Sequence, residues 1–356
     1  MNDGVPITEY ANLKIGVYGG KFFPFHKGHM SFVEEALKYV DILFVVVQYD
    51  EEHEKALCVG TPFVPISPRL RERWITEIYK DNPQVRVFSQ YEHRSENHMV
   101  DPLIAETYRE LIEKCGHVDI IFSNTHEYDE YFAKWLPGVE HVVFLEDRSI
   151  YPISATKIRE EGVYANWDFL PKPVQKHYLK RIAFCGWESA GKSFTAQAVS
   201  EKFKTKYLPE YGRTFYTEEL GGYADIALPE DYINIAAGHL QQLYYAEGNK
   251  FISVDTDMIY TQFYHILENG YKNEALDAMI RANSERISTY IFLEPRNAFA
   301  DDGSRFRIDD IERQRISDQL KALYLEYGRE LIVIDEIDNK KRLEAVFDVV
   351  NTLVSV

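Results

Sequence analysis

The chain contains 356 residues, of which 45% are hydrophobic and 27% are charged, the balance of a folded globular protein rather than a disordered one. At roughly 150 residues per domain, this length predicts about two domains with a sizeable core. Its 40 Lys and Arg residues against 57 Asp and Glu residues give a formal net charge of −17. So acidic a chain would repel a nucleic-acid backbone, and no nucleic-acid partner is predicted.

The cysteine pattern and the apolar runs bear on where the protein works. Cys58, Cys115 and Cys185 are widely spaced and lack the paired spacing of metal ligands, which favours reduced thiols and a cytoplasmic location. The longest apolar run, 42–47, is far shorter than the roughly 18 residues that a membrane span needs. The N-terminus shows no signal-peptide pattern. We therefore predict no membrane partner.

In the first half of the chain, short apolar runs alternate with longer polar segments of helical character. The predicted strands are Ile15–Tyr18, Ile42–Gln48, Val85–Phe88, Ile120–Ser123 and Val142–Leu145. Apolar strands of this kind alternating with helices are typical of parallel βα units with both sheet faces covered. Residues 1–165 are therefore predicted to form an α/β domain with a mainly parallel sheet.

A second series of strands follows a segment that contains Pro171 and Pro173. Because proline interrupts regular structure, residues 166–178 are predicted to connect two domains. The later predicted strands are Ile182–Cys185, Lys206–Leu208, Phe251–Val254, Tyr290–Leu293 and Leu331–Ile334. Residues 179–356 are thus predicted to form a second α/β domain, also mainly parallel.

The first candidate site follows the first predicted strand, where Gly19 and Gly20 would let the backbone approach a ligand closely. His26 and His29 are three residues apart at a predicted helix start and fall on one face. Gly28 between them leaves room for a phosphate near the helix N-terminus. The alternative for such a pair is a helix-capping turn with two partly exposed histidines.

This stretch resembles the (H/T)-x-G-H signature of the nucleotidyltransferase superfamily, which lies after the first strand of a Rossmann-like sheet. A second signature of that superfamily is similar to residues 153–159, where Ser154, Thr156 and Arg159 would hold the distal phosphates of ATP. Lys21 and Arg148 would add cationic contacts. The resemblance implies adenylyl transfer, in which His26 and His29 stabilise the α-phosphate while the arginines and Lys21 stabilise the departing pyrophosphate.

The second candidate site is a P-loop. Residues 186–193 fit G-x-x-x-x-G-K-[ST] between a predicted strand and a predicted helix, as the motif requires. Lys192 would reach the β- and γ-phosphates of ATP, and Ser193 would face Mg²⁺. Asp255 ends a later strand and is the second predicted Mg²⁺ ligand, although it could instead cap the next helix. The remaining predicted ATP contacts in this loop are Gly186, Glu188, Ser189, Ala190 and Gly191.

Two carboxylates qualify as the base of a kinase reaction, Glu210 and Asp257. Because Glu210 follows the strand after the P-loop helix, it is predicted to emerge beside the γ-phosphate and to act as the base. Asp257 is then predicted to bind the ribose, and the reverse assignment stays open. Arg213 is a predicted substrate contact, and a loop carrying Arg305 and Arg307 is predicted to close on the phosphates of ATP. The alternative for both stretches is a solvated loop.

A nucleotidyltransferase half followed by a P-loop half resembles the NadR family over nearly the whole chain. The shared stretches include residues 153–159, 167–171, 210–213, 255–262 and 301–305. The family implies phosphorylation of ribosylnicotinamide to nicotinamide mononucleotide, then adenylation to NAD, each with ATP and Mg²⁺. Some members carry a DNA-binding module that is not expected here. Trp187 occupies a P-loop position that is expected to be small.

Two other functions stay open at this stage. One is a fused phosphopantetheine adenylyltransferase and dephospho-coenzyme A kinase, and the other is a nucleotide-sensing regulator without turnover. Phe22, Phe23 and Trp74 are candidates for stacking on the nicotinamide or adenine ring, although aromatic residues make up 14% of the chain. The sequence leaves the oligomeric state open, including a homo-oligomer.

Overall fold

A computed structural model of the chain describes residues 10, 12–93, 102–144, 151–296 and 309–355. It divides into two compact units, of which the first ends at His177 and the second runs from Tyr178 to Ser355. Each unit is built on a five-stranded parallel sheet. The prediction of two successive α/β sheets, both mainly parallel, is confirmed.

The strands of the first unit lie at the positions that the apolar runs predicted. They are β1 (Ile15–Gly20), β2 (Ile42–Tyr49), β3 (Val85–Tyr91), β4 (Ile120–Ser123) and β5 (Glu140–Val143). Their spatial order is β3-β2-β1-β4-β5. Because the chain moves outward from β1 first to one side and then to the other, the strand order reverses between β1 and β4. Ligands of parallel α/β sheets bind at the carboxyl ends of the strands beside such a reversal.

Helices cover the two faces of this sheet. They are α1 (Lys27–Ala36), α2 (Glu51–Cys58), α3 (Pro68–Tyr79), α4 (Pro102–Cys115), α5 (Asp129–Trp135), α6 (Ala155–Glu161) and α7 (Lys172–Tyr178). One apolar cluster joins Phe32 and Val33 of α1 to Leu43, Val45 and neighbouring strand residues. A second cluster lies among the alternate strand side chains, which point to the opposite face. The two-sided burial explains why the strands are apolar almost throughout.

The second unit repeats the architecture with a different strand order. Its strands are β6 (Lys180–Cys185), β7 (Lys206–Leu208), β8 (Phe251–Asp255), β9 (Thr289–Leu293) and β10 (Leu331–Ile334). They are arranged β10-β9-β6-β8-β7. The register pairs Phe184 of β6 with Asp255 of β8, so the last residue of β8 lies beside the start of the P-loop.

Seven helices of the second unit fall within the described residues. They are α8 (Lys192–Phe203), α9 (Tyr211–Glu219), α10 (Asp231–Tyr245), α11 (Met258–Asn269), α12 (Glu274–Ala282), α13 (Asp310–Glu326) and α14 (Asn339–Ser355). The core of this unit packs β6, β8 and β9 against α8 and α14. In the parts of the chain that the structure describes, no helix is both long and apolar enough to cross a lipid bilayer.

The segment predicted to connect the domains is folded onto the first unit up to His177. Trp167, Leu170 and Val174 are all buried, and the Gln175 side-chain amide donates to the Trp167 carbonyl at 2.9 Å. The ring of Trp167 stacks on that of Tyr164. Pro171 immediately precedes α7, a place where the missing N–H of proline costs little. That residues 166–178 separate two independent domains stays a prediction.

Candidate active sites

The first site is organised by two histidines at the start of α1. His26 is the N-cap of the helix, and its backbone N–H donates to Nδ1 of His29 at 3.2 Å. The two imidazole rings stack with their centroids 3.7 Å apart. The local geometry is therefore a helix cap, but His26 is 1% exposed rather than partly exposed as the alternative interpretation required. The cap itself brings both rings together.

The bond from His26 fixes the tautomer of His29. A backbone N–H can only donate, so Nδ1 of His29 must be the acceptor and a neutral ring carries its proton on Nε2. Burial, together with the neighbouring His26, holds the pKa of His29 well below its ordinary value. His29 is thus a neutral hydrogen-bond donor that can reach a phosphoryl oxygen without carrying a permanent charge.

Gly28 is required by the close approach of the two rings. A Cβ atom at this position would lie 3.0 Å from two atoms of the His26 imidazole, closer than ordinary van der Waals contact. Gly19 and Gly20 end β1 at the carboxyl edge of the sheet. The space that a Cβ would need at Gly19 and Gly20 is filled by the side chains of Gln48 and Phe22, so an approach of a ligand to this backbone stays a prediction.

The second nucleotidyltransferase signature lies at α6. Ser154 caps this helix by accepting from the Lys157 amide at 3.1 Å. Arg159 is buried and donates to the Phe23 carbonyl at 2.8 Å and to the Thr156 hydroxyl at 3.0 Å. Two stretches 136 residues apart in sequence therefore meet, and the guanidinium of Arg159 reaches the loop that carries the histidines. Arg148 lies outside the described residues.

Sequence reasoning missed a buried ion pair beneath this loop. Arg71 on α3 and Glu54 on α2 form two parallel hydrogen bonds of 2.7 Å, and both side chains are almost fully buried. Arg71 also donates to the Lys21 carbonyl at 2.6 Å. Its guanidinium lies over one side of the Phe23 ring, while that of Arg159 also contacts the ring. Two arginines thus hold the loop after β1 by its carbonyl oxygens.

The other predicted contacts of the first site are engaged within the protein. Lys21 pairs with Glu92 at 3.2 Å, so a phosphate would have to compete with that carboxylate. Phe22, Phe23 and Trp74 are 2%, 0% and 3% exposed, which leaves their rings little free surface for stacking. A ring contact by any of these three stays a prediction.

A polar chain follows β4, the strand beside β1. Ser123 Oγ lies 2.8 Å from His141 Nε2, and His141 Nδ1 lies 2.7 Å from Asp129 Oδ1. The pKa of Asp129 is lowered by its hydrogen bonds to His126 and His141. Because Ser123 also donates to the Thr125 carbonyl, the chain fixes the loop that leaves β4 at the carboxyl edge.

In the second unit, the P-loop joins β6 to α8 with the backbone that its motif requires. Gly186 has a φ of 138°, and a Cβ there would overlap the Leu293 carbonyl oxygen. Gly191, at a φ of 85°, is the N-cap of α8. Ser189 and Ala190 complete the turn between them. The loop therefore presents its backbone N–H groups in the cradle that binds phosphates.

Lys192 is held by groups outside the motif. Its Nζ donates to the Trp187 carbonyl at 3.3 Å and to the Tyr260 hydroxyl at 3.1 Å. Burial by itself would lower the pKa of Lys192, but Tyr260, Glu210 and Asp255 outweigh it and raise that pKa. The lysine is therefore charged and already oriented before a phosphate arrives.

The hydrogen bonds continue from Tyr260 along α11. Its hydroxyl donates to that of Tyr264 at 3.3 Å, which in turn donates to Glu188 Oε1 at 2.5 Å. Trp187 is 1% exposed, stacks on Tyr264 and meets Phe263 edge-on. The large residue in the P-loop thus has a structural explanation, since it packs the loop against α11.

Glu210 and Lys192 line one cleft of about 1160 Å³. Burial raises the pKa of Glu210, and Lys192 offsets part of that shift. Arg213, one turn further on, pairs with Glu210 at 3.1 Å and also lines the cleft. A carboxylate whose pKa is moved toward neutrality and that faces the cleft is suited to accept a proton.

The donor set near the P-loop fits Mg²⁺. Asp255 is 1% exposed, its Oδ2 accepts from Tyr207 at 3.2 Å, and its Oδ1 is buried without a hydrogen-bond partner among the described residues. Ser193 lines the cleft next to Lys192. Mg²⁺ prefers oxygen ligands and is usually held by one or two protein groups plus phosphates. Asp255 is not the cap of the following helix.

Asp257 takes that capping role. Its Oδ1 accepts from the Tyr260 amide at 3.1 Å and from the Tyr324 hydroxyl at 2.6 Å. Burial raises the pKa of Asp257 to about 6. Asp257 does not appear among the side chains that line the cleft in the described structure, so its contact with a ribose stays a prediction. Arg305 and Arg307 lie outside the described residues.

Comparison with known proteins agrees with these two sites. Residues 17–161 match the cytidylyltransferase-like family and residues 181–342 match the AAA domain family. The fold and the two phosphate-handling sites define a transferase with a nucleotidyltransferase half and a P-loop half.

The chain is 29% identical to the trifunctional NAD biosynthesis/regulator protein NadR of Escherichia coli K12, over 92% of this chain and 80% of that protein. Its fold matches that of a NadR protein in complex with NR, with a TM-score of 0.74 at 21% identity over 96% of both chains. A NadR protein in complex with NAD and AMP-PNP matches equally well, at 20% identity. The chain is therefore similar to NadR proteins over nearly its whole length.

Proposed function

We propose that the chain makes NAD in two ATP-dependent steps. The second unit phosphorylates ribosylnicotinamide to nicotinamide mononucleotide, and the first unit joins that mononucleotide to the adenylyl group of ATP. The observation that carries this proposal is that one chain holds both a stacked histidine pair, in which His29 is a neutral donor, and a charged P-loop lysine that lines a cleft with Glu210. The similar protein of Escherichia coli, whose name gives NAD biosynthesis as a function, supports NAD as the product.

In the proposed adenylation, a phosphate oxygen of the mononucleotide attacks the α-phosphorus of ATP. The bond between that phosphorus and the bridging oxygen breaks, and pyrophosphate leaves. His29 donates from Nε2 to an α-phosphate oxygen as negative charge develops there, while His26 packs on it and keeps its orientation. Arg159 stabilises the leaving pyrophosphate. No covalent enzyme intermediate is needed, because positioning and charge neutralisation lower the barrier.

In the proposed kinase step, the 5′-hydroxyl oxygen of ribosylnicotinamide attacks the γ-phosphorus of ATP and ADP leaves. Glu210 accepts the hydroxyl proton, and Lys192 neutralises charge on the β- and γ-phosphate oxygens. Ser193 and Asp255 would hold Mg²⁺, which supplies further positive charge at those phosphates when it is bound. Asp257 is proposed to bind the ribose hydroxyls, although its carboxylate also caps α11.

A product assay tests the proposal. The purified chain is given ATP and Mg²⁺ with either ribosylnicotinamide or nicotinamide mononucleotide, and products are separated by chromatography. We expect the mononucleotide with ADP in the first reaction, and NAD with pyrophosphate in both. Phosphopantetheine serves as the control for the coenzyme A alternative, and we expect no product from it. If no substrate is turned over, the nucleotide-sensing alternative replaces the proposed enzyme.

The cysteines support the proposed cytoplasmic location. Cys58, Cys115 and Cys185 are all buried and free. Buried free thiols are typical of proteins that stay in a reducing compartment.

A further inference from the structure

One wall of the cleft in the second unit is a single face of α11. Tyr260, Tyr264 and Glu268 are spaced four residues apart, so their side chains project from the same side of the helix. All three line the cleft. At 1.5 Å per residue, Tyr260 and Glu268 are separated by about 12 Å along the helix axis. This face therefore runs from one end of the cleft toward the other.

The hydrogen bonds identify which end binds phosphate. Tyr260 contacts Nζ of Lys192 at 3.1 Å, so its end of the face is where the β- and γ-phosphates belong. The acceptor must place its hydroxyl near the γ-phosphate, beside Glu210. Tyr264 contacts the P-loop as well, through Glu188 and Trp187, so in the proposed kinase step the ribose and ring would extend past Tyr264 toward Glu268.

The ring end of the cleft is aromatic and negatively charged. Besides Tyr260 and Tyr264, the cleft is lined by Tyr216 of α9, Tyr232 of α10 and Tyr223, which lies between these two helices. The carboxylates that line the whole cleft are Glu188, Glu210, Asp225 and Glu268, against the two cations Lys192 and Arg213. Arg213 is paired with Glu210, and Lys192 lies at the phosphate end. Among the residues that the structure describes, a ligand that enters beyond Glu210 thus meets tyrosine rings and carboxylates but no further lysine or arginine.

A hydrogen bond from a buried tyrosine orients the carboxylate of Glu268. Tyr232 is 1% exposed and donates its hydroxyl hydrogen to Glu268 Oε2. Burial and the bond to Glu268 raise the pKa of the Tyr232 phenol, and burial raises the pKa of the adjacent Tyr216 to about 12. Both phenols therefore stay protonated at neutral pH, and Tyr232 can act only as the donor to Glu268.

We propose that this end of the cleft selects nucleosides whose ring carries a positive charge, with Glu268 as the specificity-determining residue and Tyr232 as the residue that positions it. The inference rests on the proposed function, because the pyridinium ring of ribosylnicotinamide is such a cation. Tyrosine faces attract a cation through the ring quadrupole. A neutral ring of the same shape stacks on the same tyrosines but gains nothing from the carboxylate.

The test compares two acceptors that differ in ring charge. Kinase kinetics of the full chain are measured with ATP and Mg²⁺ on ribosylnicotinamide and on its reduced dihydro form, whose ring is neutral. The variants are Glu268→Gln and Tyr232→Phe. Glu274→Gln is the matched control, because Glu274 is an exposed carboxylate on the next helix and does not line the cleft.

We expect the wild-type chain to have the lower KM for the cationic acceptor. Glu268→Gln should raise that KM about fivefold at nearly constant kcat, and should leave the KM of the neutral acceptor unchanged. Tyr232→Phe should give a smaller rise, again for the cation alone, because the carboxylate remains but is less well placed. The KM difference between the two acceptors should shrink as salt is added, and Glu274→Gln should change nothing.

Two results would overturn this inference alone. One is equal KM values for the two acceptors in the wild-type chain, and the other is a Glu268→Gln effect of the same size on both. If neither acceptor is phosphorylated, the proposed function fails and this inference fails with it. One set of kinetic measurements therefore distinguishes failure of this inference from failure of the proposed function.

Discussion

The two candidate sites secure their catalytic side chains in different ways. In the first, His26 and His29 orient each other through a helix cap, and Arg71 and Arg159 tie the adjoining loop by its carbonyl oxygens. In the second, Lys192 is held mainly by the hydroxyl of Tyr260, a residue 68 positions away. The loop of the first site is anchored through two of its main-chain carbonyls, whereas Lys192 of the second site is held by the Tyr260 hydroxyl together with the Trp187 carbonyl.

This difference bears on how each site responds to ligand. A guanidinium bonded to main-chain carbonyls is part of the scaffold, so its loss should disturb folding as well as activity. A lysine bonded to a tyrosine hydroxyl can exchange that partner for a phosphate oxygen at little cost. We therefore expect substitutions of the anchoring residues in the first site to lower the stability of the chain as well as its activity. Substitutions in the second site should lower turnover alone.

Arg71→Met should have the largest effect on stability. It leaves Glu54 buried without its bidentate partner, and removing one member of a buried ion pair costs about 3–5 kcal/mol of unfolding free energy. Chemical denaturation of the full chain measures this loss. Arg73→Met, an exposed position on the same helix, is the control. A loss as small as that of the control would contradict the scaffold role of Arg71.

Lys192→Ala should abolish the kinase step without unfolding the chain. It removes the charge that meets the β- and γ-phosphates, and loss of one such contact costs about 3–4 kcal/mol of transition-state stabilisation. Mononucleotide adenylation should stay nearly intact when both activities are assayed on one preparation. Lys202→Ala on the same helix is the control. Equal loss of both activities in a folded variant would disprove two separate sites.

His29→Ala is the corresponding experiment for the first site. Removing the neutral donor at Nε2 should lower NAD formation from the mononucleotide about 100-fold, while ribosylnicotinamide phosphorylation survives. The control is His117→Ala, which changes a partly exposed histidine that precedes β4. It measures how much NAD formation falls when a histidine outside the site is removed. Normal NAD synthesis in His29→Ala would remove this residue from the catalytic set.

The base of the kinase step can be assigned from kinetics and pH. Glu210→Gln should lower kcat with little change in KM, whereas Asp257→Asn should chiefly raise KM for the nucleoside. A base must be deprotonated, and the pKa of Glu210 is raised. Wild-type kinase activity should therefore fall on acidification at a higher pH than an ordinary glutamate would require. The opposite pattern of kcat and KM would invert the assignment.

The smallest effect concerns His239, which is buried with Nε2 lacking a partner among the described residues. Burial lowers the pKa of His239 from 6.5 to about 4. Between pH 4 and pH 6.5 this histidine is therefore protonated in the unfolded chain but neutral in the folded one. Wild-type stability should then fall as pH drops below 6.5, with this histidine contributing about 1 kcal/mol of the loss by pH 5.5. His239→Leu should lack this component when unfolding is compared at pH 5.5 and pH 8.

Asp257 contributes with the opposite sign in part of that range. Its pKa is raised to about 6, so protonation stabilises the folded state below that pH. Because Asp257 is present in both proteins, its contribution cancels in the difference between wild type and His239→Leu. An unchanged pH dependence in the variant would show that His239 does not titrate as its burial requires.

The fold was largely predictable because its signals are strong and local. Strands buried on both faces must be apolar along their length, and each of the ten predicted runs overlaps a strand of the structure. The histidine pair and the P-loop were predictable for a similar reason. Each depends on a short stretch whose spacing sets its own backbone geometry, as the cap from His26 to His29 shows.

The supporting residues were not predictable from local pattern. Glu54 and Arg71 look like ordinary surface charges of two amphipathic helices, yet they pair and are buried. Tyr232, Tyr260 and Tyr264 are three of 25 tyrosines in the chain, and nothing near them in sequence marks them as cleft residues. The prediction of a connector at residues 166–178 likewise gave no indication that Trp167, Leu170 and Val174 are buried.

The sequence by itself determined the two sheets, their order along the chain and the groups that we propose to bind phosphate. Those features follow from hydrophobic patterning and from contacts within a few residues. Only the tertiary structure decided that Arg71 supports the loop after β1 and that Tyr260 holds Lys192. It also decided that Asp257 caps α11, while Oδ1 of Asp255 has no partner within the described part of the chain. These contacts join residues far apart in sequence, and which of many chemically equivalent side chains makes them depends on how the helices pack.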